Sequence, residues 1–315
     1  MQTFHVHVLS PGFLTTVQDL GRERYAHLGI SASGAADSLS LRIGNLYLGN
    51  PENTAALEMT LVGCTLEFEE DTSIALTGSD FAAQVNGKPL PLWTPVPIKS
   101  GDLLHIGHTT TGARAYLCVR GGFQCKPFLG SVSTHLITGL GGIEGRPLKK
   151  GDTLSVQRLL GKPPSPPFTT NLLRTVDERT LLRVTRGPQE DFFSRDARLA
   201  FLSSPYTVSE DSNRMGLRLN GPALTRTVDK EMLTEGVSLG AIQVPQGGEP
   251  IILFVEHQTT GGYPKIANVI SADLHRLGQL RPRDVVRFES VSFKRARDLL
   301  RRQEAFLNSH RIAPA

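Results

Sequence analysis

Alternation of polar and apolar residues is the commonest local pattern along this chain. In the segment 65–69, Thr-Leu-Glu-Phe-Glu, every second residue is apolar, which places the apolar side chains on one face of a strand. The pair Asn86-Gly87 tolerates the positive φ angles of a tight turn and therefore predicts a β-hairpin. Because strand patterns dominate both halves of the chain, we predict a mostly β protein with few helices.

A short unit occurs three times, and each copy predicts a turn that leads into a half-buried strand. Each copy has a cation three residues before an aspartate, and apolar residues two and four positions after that aspartate. Residues two apart lie on the same face of a strand, so one face of each strand is apolar. The copies are residues 99–106, 149–156 and 281–288.

A proline-rich stretch near the middle of the chain separates the first two copies from the third. Residues 161–167 read Gly-Lys-Pro-Pro-Ser-Pro-Pro, a composition that excludes a helix and removes the amide donors of a central strand. We therefore expect an N-terminal β-barrel domain over residues 1–160, a Pro-rich linker over 161–172, and a C-terminal β-barrel domain with a C-terminal helix over 173–315. Both domains have an ordinary size.

Helices are predicted at a few places only. Asp37 is a suitable N-cap for a helix that ends before Gly49, and a second helix is expected over about 271–280. Ser292 can start a C-terminal helix, with Phe293 among the side chains that face inward and the Lys and Arg side chains facing outward. This basic face is interpreted as a solvated surface or, second, as a docking face for an acidic partner protein. We expect no nucleic-acid site, because no aromatic residues interleave with the charges.

Composition and charge limit the cellular context. The 315 residues are 39% hydrophobic with a net charge of +4, and no apolar run approaches the ~18 residues of a membrane helix. The three cysteines form no CxxC pair, which favours reduced thiols. The N-terminus lacks the basic start and apolar stretch of a secretory signal. These features together predict a cytoplasmic protein without a membrane segment.

The common catalytic motifs are absent from the sequence. It contains no GxxxxGK[ST] phosphate loop, no GxSxG nucleophile elbow, no HExxH and no GxGxxG. Any ATP is therefore expected to be bound mainly by partner subunits. No Met-Lys-Met of a biotin carrier occurs, so biotin is expected only on a separate carrier. His5 and His7 lack a third ligand at a recognisable spacing, and we expect no metal site.

The segment 256–265 combines more chemical groups than a turn needs. It contains an acid, an amide, two hydroxyls, two adjacent glycines, an aromatic ring and a cation within ten residues. Such a set can bind a small polar ligand that has a carboxylate or ureido group, and we predict that it lines a pocket. A flexible hinge loop is the alternative interpretation. These residues are Glu256, Gln258, Thr259, Thr260, Gly261, Gly262, Tyr263 and Lys265.

Three sequence blocks resemble one known family. The blocks are TTVQDLGR at 15–22, SNRMGLRL at 212–219 and QTTGGYPKIA at 258–267. They are similar to the biotin-dependent carboxyltransferase-like family, which includes allophanate hydrolase subunit 2, KipA and component C (PxpC) of bacterial 5-oxoprolinase. The resemblance implies two linked cyclophilin-like β-barrel domains. It also implies work in a complex with two other proteins, a KipI-like component B and a LamB/YcsF-like component A.

The resemblance leads to one preferred function and two alternatives. The preferred one is component C of an ATP-dependent 5-oxoprolinase, a hydrolase complex that cleaves 5-oxo-L-proline to L-glutamate and in which this component is inactive alone. The alternatives are a carboxyltransferase subunit of a biotin-dependent urea-type carboxylase or amidolyase, and a KipA-like regulator that binds a KipI-type kinase inhibitor.

Site residues follow from residue type and from position in the family. The catalytic candidates are the acids Glu256, Asp80 and Asp37 together with Lys265. For each acid, capping or turn formation is an equally good interpretation, and at Glu256 the family usually has Asp. The substrate-binding candidates are Gln18, Arg214, Gln258, Thr259, Thr260, Gly261, Gly262, Tyr263 and Ser133.

Overall fold

The computed structural model describes residues 2–159, 180–228 and 232–309. The chain is mostly β, as predicted. It divides into two compact units, of which the first comprises Met1–Arg22, Ser33–Val176 and Leu307–Ala315, and the second comprises Glu23–Ala32 and Asp177–Phe306. The predicted linker 161–172 lies outside the described residues.

The first unit is built from two antiparallel sheets around a common core. The order is β11-β1-β4-β9-β6-β7 in one sheet and β2-β3-β10-β5-β8 in the other. In β1, buried Phe4, Val6 and Val8 alternate with outward His5 and His7, so the period-two pattern is what builds this core. The strands are β1 Thr3–Ser10, β2 Leu14–Gln18, β3 Ala56–Thr60, β4 Thr65–Phe68, β5 Thr72–Gly78, β6 Gln84–Val85, β7 Lys88–Pro89, β8 Val96–Ile98, β9 Leu103–His105, β10 Arg114–Val119 and β11 Thr153–Gln157.

The second unit contains a closed seven-stranded barrel, in the order β12-β19-β16-β17-β14-β13-β20. A parallel pairing of β12 with β20 closes it. A separate two-stranded ribbon consists of β15 and β18. The strands are β12 Leu181–Arg186, β13 Tyr206–Val208, β14 Gly216–Asn220, β15 Glu235–Gly236, β16 Ala241–Gln243, β17 Ile251–Leu253, β18 Thr260–Gly261, β19 Lys265–Val269 and β20 Val285–Ser290.

Helices are few among the described residues: α1 Ser38–Tyr47, α2 Arg195–Ser203, α3 Leu274–Leu277 and α4 Phe293–Asn308. Asp37 caps α1 as predicted, since its Oδ1 accepts a hydrogen bond from the Ser40 amide at 2.9 Å. The helix expected over 271–280 is only a 3₁₀ turn followed by α3. In the part of the chain that the structure describes, no helix has the length and apolarity needed to span a membrane.

One local prediction was wrong. Phe293 was expected to face inward, but 72% of it is exposed, because the apolar positions of α4 show only which residues share a face and not which surface covers them. The segment 256–265 ends at Lys265, the first residue of strand β19, in which four of the five residues are buried.

The three repeated units form the same turn. In each, the aspartate Oδ2 accepts a hydrogen bond from the backbone amide three residues earlier: Lys99 to Asp102 at 2.7 Å, Lys149 to Asp152 at 2.7 Å and Arg281 to Asp284 at 2.9 Å. The residue before each aspartate has a positive φ of 81°, 88° and 72°. Each turn leads into a strand, as the sequence pattern predicted.

Candidate functional site

A buried hydrogen-bond network surrounds Asp19, directly after strand β2 in the first unit. Its Oδ1 accepts hydrogen bonds from the hydroxyls of Ser131 at 2.6 Å and Ser133 at 2.5 Å, and its Oδ2 accepts one from the Val132 amide at 2.8 Å. Ser133, a predicted binding residue, therefore fixes this carboxylate. The backbone amide of Val132 does the same, so the network does not depend on the side chain at that position.

Gln18 belongs to the same region of the first unit. Its Nε2 donates to the Thr16 hydroxyl and to the Thr134 carbonyl, each at 3.0 Å. Its Oε1 is buried and accepts no hydrogen bond from any described residue. The hydroxyl of Ser133 accepts a hydrogen bond at 3.0 Å from the amide of Asp19, the residue that follows Gln18. The structure thus places two predicted binding residues, Gln18 and Ser133, close together.

The two predicted acids of the first unit make local contacts. Asp37 is buried and binds both the amide and the hydroxyl of Ser40, at 2.9 and 2.6 Å. Asp80 is exposed, and its Oδ1 accepts a hydrogen bond from the Ala82 amide at 2.8 Å. These are the contacts of a helix cap and of a turn.

In the second unit, Arg214 and Glu256 form a buried ion pair. The Arg214 Nε lies 2.5 Å from the Glu256 Oε1, and the two side chains are 6% and 1% exposed. The Glu256 amide also donates to the Arg214 carbonyl at 2.8 Å. The structure therefore joins a predicted acid with a predicted cation, and each satisfies charge on the other.

A second group, the lysine cluster, consists of Lys265, Glu235, Gln189, Gln243 and Gln258. Lys265 begins β19, its side chain is 5% exposed, and its Nζ binds the Oε1 of Glu235 on β15. Gln189 holds both: its Nε2 donates to Glu235 at 2.8 Å and its Oε1 accepts from the Lys265 amide at 3.1 Å. The hydrogen bond from Lys265 holds the pKa of the Glu235 carboxyl below its usual range.

Gln243 completes the lysine cluster. It lies on β16 directly opposite Lys265 and is 2% exposed. Its Oε1 accepts a hydrogen bond from Gln258 Nε2 at 3.4 Å, whereas its own Nε2 has no partner among the described residues. A Cβ atom at position 261 would lie 2.6 Å from that Nε2, so Gly261 leaves the space that the amide needs.

The other predicted residues of the segment surround this cluster. Thr260 and Gly261 form β18 and pair with Gly236 and Glu235 of β15. Thr259 accepts a backbone hydrogen bond from the Val237 amide at 3.1 Å. The remaining two are accessible: Tyr263 is 49% exposed, and a Cβ at Gly262 would have no atom closer than 3.6 Å.

Sequence analysis missed Glu235, Gln189 and Gln243. They lie 30, 76 and 22 residues from Lys265 along the chain, and no short pattern connects them to it. The one signal in the sequence was Gly261, since an adjacent pair of glycines can mark a close approach by another group.

Metal-binding side chains do not cluster in the part of the chain that the structure describes: no three His, Cys, Asp or Glu residues are arranged to hold an ion. His5 and His7 lie on the same face of β1, and their rings lie 3.2 and 2.7 Å from oxygens of Glu69. The hydrogen bonds to these histidines hold the pKa of the Glu69 carboxyl below its usual range.

Comparison with known families assigns the chain. Residues 28–290 match the model of the carboxyltransferase domain, subdomain A and B. The chain belongs to this family. The resemblance inferred from the three sequence blocks is thereby confirmed.

This chain is similar to a 5-oxoprolinase component and to urea amidolyase. It is 40% identical to component C of the 5-oxoprolinase of Escherichia coli strain K12, over 92% of both chains. It is 36% identical to urea amidolyase of Lachancea kluyveri, over 96% of this chain but 18% of the relative. Among solved structures, urea amidolyase of K. lactis superposes with a TM-score of 0.90 at 32% identity, over 98% of this chain and 20% of that one.

Proposed function

We propose that the chain is component C of an ATP-dependent 5-oxoprolinase, which opens the lactam of 5-oxo-L-proline to L-glutamate. The observation that carries the proposal is the 40% identity to a 5-oxoprolinase component C over 92% of both chains. The identity to urea amidolyase of Lachancea kluyveri is lower, at 36%.

The proposed reaction needs other subunits. A lactam carbonyl is a poor electrophile, and transfer of the γ-phosphoryl group of ATP to its oxygen would activate the carbonyl carbon and release ADP. Water would then add to that carbon, the C–N bond would break with the ring nitrogen leaving as the amine, and hydrolysis of the resulting acyl phosphate would give L-glutamate and phosphate. Because the sequence has no phosphate loop, we assign the nucleotide to a KipI-like component B and a LamB/YcsF-like component A, and propose that this chain is inactive alone. The proposed location is the cytoplasm, in keeping with three unpaired cysteines.

The lysine cluster is the part of this chain best suited to the substrate. It provides a buried ammonium, an amide donor that has no partner among the described residues, and a glycine that admits close approach. A cation in a site from which water is excluded stabilises negative charge far more than one in water. The role proposed for Lys265 is therefore to bind negative charge on the substrate.

Reconstitution tests the function. The chain is mixed with its KipI-like and LamB/YcsF-like partners, and release of ADP and of L-glutamate is measured with and without 5-oxo-L-proline. We expect both products only when all three proteins and 5-oxo-L-proline are present. Omitting each protein in turn is the control. An assembled complex that releases no glutamate, under conditions in which the Escherichia coli complex is active, would contradict the proposal.

Lys265→Met tests the site. The substitution keeps most of the stem and removes the charge, so we expect turnover of the complex to fall at least tenfold, which corresponds to ~1.4 kcal/mol. Stability should change little, because the Glu235 carboxylate left behind is 44% exposed and stays hydrated. The control is Lys99→Met, which breaks an exposed ion pair with Asp71. Turnover of Lys265→Met within a factor of about two of the unmodified complex would refute the assignment.

A second candidate is the carboxyltransferase part of a urea-type carboxylase. The superposition on K. lactis urea amidolyase over 98% of this chain favours it. In this case the same cluster would hold a ureido group delivered by a biotinylated carrier. Urea-dependent ADP release after adding a biotin carboxylase and such a carrier would support it. A KipA-like regulator, the other alternative, would bind a KipI-type protein without any turnover.

A further inference from the structure

The donors of the lysine cluster lie side by side in the barrel wall. β16 and β19 are neighbouring strands, and Gln243 and Lys265 are cross-strand partners at a register shift between Ile242 and Gln243. Both side chains are almost fully buried. The wall therefore carries a buried lysine and a buried glutamine at paired positions of two neighbouring strands.

The β15–β18 ribbon covers this pair of donors. Glu235 on β15 and Gly261 on β18 are directly opposite each other. The Lys265 ammonium binds Glu235, and the Gln243 Nε2 lies next to Gly261, closer than a Cβ there would permit. Two independent contacts thus direct the ammonium and the amide to the same cross-strand pair of the ribbon.

We propose that Lys265 and Gln243 form a carboxylate-binding subsite, and that the Glu235 carboxylate occupies it until a ligand carboxylate takes its place. The inference rests on the proposed function, since 5-oxo-L-proline carries one carboxylate and urea carries none. Glu235 satisfies the ammonium but leaves the Gln243 amide N–H without an acceptor among the described residues. A ligand carboxylate has two oxygens and can accept from both donors.

Glu235 is suited to being displaced. It lies on a strand of two residues, and its side chain is 44% exposed, whereas that of Lys265 is 5% exposed. When the Glu235 carboxylate moves away from the Lys265 ammonium, it is therefore hydrated by water. An anionic ligand keeps Lys265 paired, and a neutral ligand would leave that ammonium buried without a counter-charge, which is costly. The subsite consequently selects for carboxylates.

The first test measures KM for 5-oxo-L-proline in the assembled complex. Glu235→Gln keeps the length of the native side chain and removes its charge. The side chain then competes less with the substrate carboxylate for the Lys265 ammonium, and we expect KM to fall at least threefold. Gln243→Met removes the amide donor at similar volume, and KM should rise at least fivefold. The control is Glu210→Gln on an exposed ion pair of the same unit, which should leave KM unchanged. An unchanged KM in both cluster variants would overturn the inference.

The second test does not depend on turnover. Thermal melting of the complex is followed with added acetate or acetamide, at constant ionic strength. Acetate should raise the melting temperature of Glu235→Gln more than that of the unmodified complex, and acetamide should not. The double variant Glu235→Gln/Gln243→Met should lose the acetate response. Equal responses to acetate and acetamide in Glu235→Gln would refute the subsite.

Together the two tests separate the inference from the proposed function. If the complex does not convert 5-oxo-L-proline but Glu235→Gln responds to acetate, the function is wrong and the subsite stands. If the complex is active but neither KM nor the acetate response changes, the function stands and the subsite is wrong.

Discussion

Replacing Glu256 by Gln should strongly destabilise the second unit. The substitution removes the carboxylate that lies 2.5 Å from the Nε of Arg214, whose side chain is 6% exposed. Removing one partner of a buried ion pair costs about 3–5 kcal/mol, because the remaining charge stays desolvated. For a unit of this size we expect the melting temperature to fall by at least about 6 °C.

The chain contains a matched control for this prediction. Arg283 and Glu210 are also 2.5 Å apart, but their side chains are 81% and 67% exposed. Exposed pairs contribute about 0–1 kcal/mol, because water solvates either charge when the other is removed. Glu210→Gln should therefore cost less than about 1 kcal/mol. The two substitutions are the same, the distances are equal, and only burial differs.

Calorimetry of the two variants and of Glu256→Asp measures these effects. Glu256→Asp keeps the charge but shortens the side chain by one methylene, so its loss should lie between the other two. Equal stability of Glu256→Gln and Glu210→Gln would refute the reasoning from burial. If Glu256→Gln also lost turnover at an unchanged melting temperature, Glu256 would act on the substrate and not mainly on Arg214.

Three further predictions concern stability and reactivity. Gly101→Ala places a side chain at φ 81°, so the free energy of unfolding measured in urea should fall by about 1 kcal/mol. Gly247→Ala has open space around the new side chain and should not destabilise the protein. Equal effects of the two substitutions would contradict the strain argument. Two hydrogen bonds from Arg146 lower the pKa of Asp152 in the folded protein. Arg146→Met should therefore reduce the free energy of unfolding at pH values above the unfolded aspartate pKa of about 3.9, and this loss should disappear as the pH falls below that value. A loss of stability that does not depend on pH would refute this. In the folded protein a thiol reagent should modify Cys125 alone, because the other two cysteines are fully buried; rapid modification of three thiols without denaturant would show the burial to be wrong.

Local features of this protein were determined by the sequence alone. The three aspartate turns, the Asp37 cap and the Asn86-Gly87 hairpin were all predicted, because each depends on hydrogen bonds or φ angles within about four residues. The same holds for the alternation of residues 65–69 that builds β4. The family was also recognisable, since its three blocks are contiguous in the sequence.

The composition of the candidate site was decided by the tertiary structure. Arg214 and Glu256 are 42 residues apart, Lys265 and Glu235 are 30 apart, and Lys265 and Gln189 are 76 apart. Closure of the barrel and the position of a two-residue ribbon bring these groups together, and neither is encoded in a local period. The segment 256–265 could be chosen from its own chemistry. Only the strands packed beside the segment decide that Arg214 neutralises Glu256 and that Glu235 neutralises Lys265. The same packing leaves the Gln243 amide without an acceptor among the described residues.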